Sequence, residues 1–188
     1  ERSTALNSQK KDLANNINTA WITVYESLGM NKDYPLDDEE FLKNHWIVYF
    51  DAYNRSEANV YQNFLFNDYF SIERVYENKL TASLINKYIK SLQLCSEWWN
   101  KLNHPQYFSE TDETLKHSIL RLHTVGLDSS YKPLVLAILT REDRNAFSDA
   151  IEAIIMLSFK IFDVSQRRAN TGNTRLFTLA FEVYSKKI

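Results

Sequence analysis

Glycine and proline each occur only three times in 188 residues, against average usage of roughly 7% and 5%. Tight turns lean on Gly, Pro and Asn, so this scarcity argues against a sheet-rich architecture and for a helical one. A single cysteine, Cys95, excludes an intrachain disulfide and a cysteine-rich zinc site, and it suits a reducing compartment, read here as the cytoplasm. No apolar run reaches the ~20 residues of a membrane span, so no membrane partner is expected. The polar opening ERSTALNSQKKD has neither the apolar segment of a secretory signal nor an initiator methionine, and the chain is expected to be a fragment of a larger protein. Its net charge of -2 supplies no general attraction to nucleic acid or to an anionic surface. Two catalytic signatures are missing as well, the Gly-x-Ser-x-Gly elbow and the Gly-rich phosphate loop.

What remains is apolar periodicity. Leu13, Ile17, Trp21, Val24 and Leu28 recur at helical spacing, with Ser8 as the expected N-cap and Gly29 as the stop. Asp37 caps a second helix whose first turn is acidic and whose apolar residues include Phe41, Leu42, Trp46 and Phe50. The aromatic stretch from Ser56 to Tyr76 reads as two short helices. Thr81 caps the most regular helix, whose stripe runs from Leu84 through Ile85, Tyr88, Ile89, Leu92, Cys95 and Trp99 to Leu102. A helix from near Ser109 to Gly126 should bury Leu115, Ile119 and Leu122. The segment YKPLVLAILTR is apolar almost all round and should be central. AFSDAIEAIIMLSFKIFDV is apolar on more than one face, and a last amphipathic helix carries Leu176, Leu179, Ala180 and Val183. The spacing predicts an all-α, irregular multi-helix bundle of about eight helices, one helical domain over residues 1–188, with its weakest point near 104–112.

Few groups of residues carry a chemical signal. His117 and His123 are six apart and His45 has no partner at i+4, so none of the three makes a helical zinc pair. The run Asp37 to Glu40 places acids where the helix dipole favours them. Cys95 lies on an apolar stripe, where a thiol serves as a small hydrophobe. Trp98 and Trp99, like the aromatics between 46 and 76, have the spacing of core residues rather than of a base-stacking platform accompanied by lysines. No catalytic residue, metal or cofactor is expected.

The stretch SQRRANTGNTRLF, residues 165–177, is different. It holds Arg167, Arg168, Arg175, Asn170 and Asn173 between two apolar runs. Residues 160–188 carry six cationic side chains against two acids, and residues 31–60 carry three against seven, so the near-neutral total hides a polarised chain. Two readings stand. Arginines at a helix start, with free backbone N–H groups nearby, suit phosphate; alternatively Asn173 caps the last helix and the arginines pair with the acidic helix.

Four segments in this order, PLDDEEFLKNHWIVYF, VYENKLTASLINKYIKSLQ, YKPLVLAILTR and the Arg-Arg-Ala-Asn stretch, resemble the helical region of the GmrSD-type, modification-dependent (type IV) restriction endonucleases. The resemblance runs from about residue 15 to the end of the chain. In that family the helical region follows a ParB-like domain whose Asp-Gly-Gln-Gln-Arg motif is associated with nucleotide hydrolysis, and an HNH-type nuclease domain often comes after it. Neither motif occurs in these 188 residues, nor does the Asn-Asn-Arg-Gly segment that commonly precedes the helical part. The family's catalytic residues therefore transfer to no position. The resemblance implies a cytoplasmic phage-defence context, DNA as a partner, and packing against the ParB-like and nuclease domains. By position, Arg167 and Arg168 match a recurrent arginine at the end of the long helix, and Asn173 matches the polar start of the last one. The expected role is a DNA-positioning or interdomain module. The alternative is a scaffold or homodimerisation domain without nucleic-acid contact.

Overall fold

The computed structural model describes residues 2–51, 60–108, 113–126, 129–141, 147–160 and 173–186. These residues form helices α1 (Arg2–Leu28), α2 (Asp38–Tyr49), α3 (Val60–Asn63), α4 (Ile72–Tyr76), α5 (Ala82–Asn103), α6 (Glu113–Val125), α7 (Lys132–Leu139), α8 (Phe147–Ser158) and α9 (Asn173–Tyr184). A π-helical turn, Phe64–Tyr69, continues α3. The fold is all-α and multi-helical, as composition and periodicity lead one to expect, and no strand occurs among the described residues. None of their helices is long and apolar enough to cross a membrane.

The chain divides into two compact units, one made of Glu1–Leu36 with Asn54–Glu97, the other of Asp37–Tyr53 with Trp98–Ile188. The division cuts α5 rather than falling at 104–112. In the first unit α1 and α5 lie side by side. Asn16 donates to the Asn86 side-chain oxygen at 3.0 Å, and Gln93 donates to the Thr23 hydroxyl at 3.4 Å. Both pairs advance seven residues in the same direction, so the two helices run parallel. Thr81 caps α5 as expected, its hydroxyl accepting the Leu84 N–H at 3.3 Å. The α5 stripe buries Tyr88, Ile89, Leu92 and Cys95, and Phe70 meets Tyr88 edge-on at 4.9 Å.

Two expectations for α1 need correction. The helix begins at Arg2, ahead of the cap expected at Ser8, and the Ala, Leu, Gln and Lys residues on either side of Ser8 are good helix formers that let it propagate. Trp21 is 40% exposed, whereas Ala20, Val24 and Leu28 are buried. Each residue turns the helix by about 100°, so a seam through 20, 24 and 28 leaves position 21 on its flank.

In the second unit, α2 and α7 are the interior helices. The Asp37 carboxylate accepts the Glu40 N–H at 2.6 Å and starts α2. From Asn44 to Val48 every side chain of α2 is buried. In α7 every residue from Pro133 to Leu139 is buried, which bears out the reading of its all-round apolar sequence. Helix α9 packs on both of these helices. Helix α6 packs on α8, where Arg121 and Glu152 form an ion pair, and α6 ends at Gly126 in the left-handed conformation (φ 74°). Leu115, Ile119 and Leu122 are buried on α6 as the pattern predicts.

Candidate functional site

Of the five residues singled out for phosphate contact, Arg167, Arg168 and Asn170 lie outside the described residues. Asn173 is the first residue of α9, so the helix starts where the polar break predicts. Arg175 lies in the first turn of α9 with its side chain 74% exposed. Its guanidinium is 3.8 Å from the carboxylate of Glu182, two turns along the same helix. At that distance and exposure the pair holds the arginine only weakly.

The acidic helix is engaged elsewhere. Lys132 donates to the Glu40 carboxylate at 2.8 Å and stands 5.2 Å over the Trp99 ring. One lysine thus ties the N-terminal turn of α2 to the start of α7 and to the buried indole of α5. The described partner of Arg175 is therefore a residue of its own helix, and the described partner of Glu40 is a lysine. Both pairings join residues far apart in sequence or two turns apart on a helix, and charge totals over whole segments do not resolve them.

The four histidines occupy four unrelated environments. His45 is completely buried on α2, between Phe41 at 6.1 Å and Tyr49 at 5.5 Å, and burial pushes its imidazole from an ordinary 6.5 down to about 3. It is a neutral core side chain at ordinary pH. His117 lies 3.7 Å from Glu113 on the surface of α6. His123 donates through Nε2–H to the Leu102 carbonyl at 2.6 Å, joining α6 to α5. His104 packs edge-on against Tyr107. Among the described residues no three His, Cys, Asp or Glu side chains come together as a metal site. Trp99 and Cys95 are buried as their place on the α5 stripe implies, and Trp98, beside the stripe, is buried too.

Two features were not read from the sequence. The first is an exposed apolar strip on α1, formed by Trp21, Ile22 and Tyr25, in which the Trp21 and Tyr25 rings stack at 5.8 Å. The second is a cleft of about 480 Å³ in the second unit. Its floor is α7 (Leu134, Ile138) and its walls are α8 (Ala150, Ala153) and α9 (Leu176, Leu179). No family model, no curated protein and no solved structure matches this chain.

Proposed function

We propose that this chain is a non-catalytic helical module of a GmrSD-like restriction protein, that it packs against a neighbouring domain of that protein, and that it helps position DNA. The family part rests on the resemblance of four ordered segments, three of which coincide with α2, α5 and α7. The observation that carries the interdomain part is the α1 strip. Single exposed hydrophobics are ordinary on a protein surface, but Trp21, Ile22 and Tyr25 are contiguous on one turn and two of their rings stack on each other. Aromatic side chains in that arrangement suit a buried anchor at an interface.

The parent coding sequence tests the family directly. An Asp-Gly-Gln-Gln-Arg motif upstream of residue 1 is expected, and its absence overturns the assignment. With that upstream domain in hand, Trp21→Ala together with Tyr25→Ala should weaken its binding at least tenfold in a titration, with helical circular dichroism unchanged. If light scattering instead finds a dimer that the same pair of substitutions dissociates, the strip serves self-association and the scaffold reading replaces the interdomain one.

The DNA role keeps a separate support in the exposed, loosely paired Arg175 beside Arg167 and Arg168 in sequence. Phosphate contacts position a duplex without reading its sequence and weaken steeply with salt. A duplex titration at two salt concentrations should show that dependence. Arg167→Ala with Arg168→Ala should bind several-fold more weakly and with a shallower salt slope; binding equal to that of the parent removes the DNA role.

A further inference from the structure

We draw no further inference here: the strongest candidate, the apolar cleft lined by α7, α8 and α9 in the second unit, carries nothing because nothing in the structure shows what covers it.

Discussion

The two units use aromatic residues in opposite ways. In the second, Trp99 is 1% exposed, Phe41 stands 6.3 Å from it, and Lys132 lies over its ring while bonded to Glu40. In the first, Trp21 is 40% and Tyr25 60% exposed, and α4 turns Ile72, Val75 and Tyr76 outward together. Residue type is the same and the free-energy consequence is not. An indole enclosed in the core contributes through area removed from water and through close packing, whereas one on a helix flank keeps most of its surface hydrated. The first unit thus leaves two aromatic rings of α1 in contact with water, and the second encloses its tryptophan in the core.

Substitution of the two tryptophans should break this comparison most visibly. Trp99→Ala is expected to cost about 3–5 kcal/mol in urea unfolding, as large buried aromatics do, whereas Trp21→Ala should cost less than about 1 kcal/mol. A similar cost at both positions would mean that the α1 strip is buried in solution.

Acid should distinguish His45 next. Its folded pKa of about 3 lies below its ordinary 6.5, so between those values the unfolded chain binds the extra proton. The stabilisation is fully present above pH 6.5 and is lost as pH falls toward 3, at up to about 1.4 kcal/mol per pH unit. His45→Gln should flatten the part of the stability–pH curve just below 6.5, where carboxylates contribute least. An unchanged curve would show that the imidazole is solvated.

Lys132→Met should cost about 1–2 kcal/mol, since it keeps the apolar stem but loses the Glu40 ion pair and the charge over Trp99. The loss should shrink with added salt less than that of an exposed pair, because the lysine side chain is largely covered. Measurement in low and high salt checks both points. The smallest effects belong to the caps, one in each unit: Asp37→Ala should cost about 1 kcal/mol and Thr81→Ala about half that, in line with their 2.6 Å and 3.3 Å bonds. Thermal unfolding of the two variants ranks them.

Features that depend on a few neighbouring residues were legible. Asp37 and Thr81 sit where a short acceptor side chain meets the start of an apolar period, and Gly126 ends α6 with a positive φ that other residues rarely adopt. The all-round apolar run of α7 had no exposed face to offer, and it is buried along its length. Trp21 was misplaced because apolar spacing of three and four allows two adjacent seams on one helix, and only the partner helix selects between them. At the candidate site, the polar break before α9 was legible and the partners of its arginine were not. The Glu40–Lys132 pair spans 92 residues, and nothing local marks it.

By itself the sequence determined the helical class, most helix ends and most of the buried stripe on each helix, because backbone propensity, capping and apolar period act over a turn or two. Only the tertiary structure decided which acid meets which base, which face of α1 stays in water, and that three apolar helices leave a cleft instead of closing on one another. Those outcomes depend on how helices of fixed shape fill space together. Two alanines on α8, unremarkable in a linear reading, become part of the lining of a cleft once α7 and α9 are set beside them.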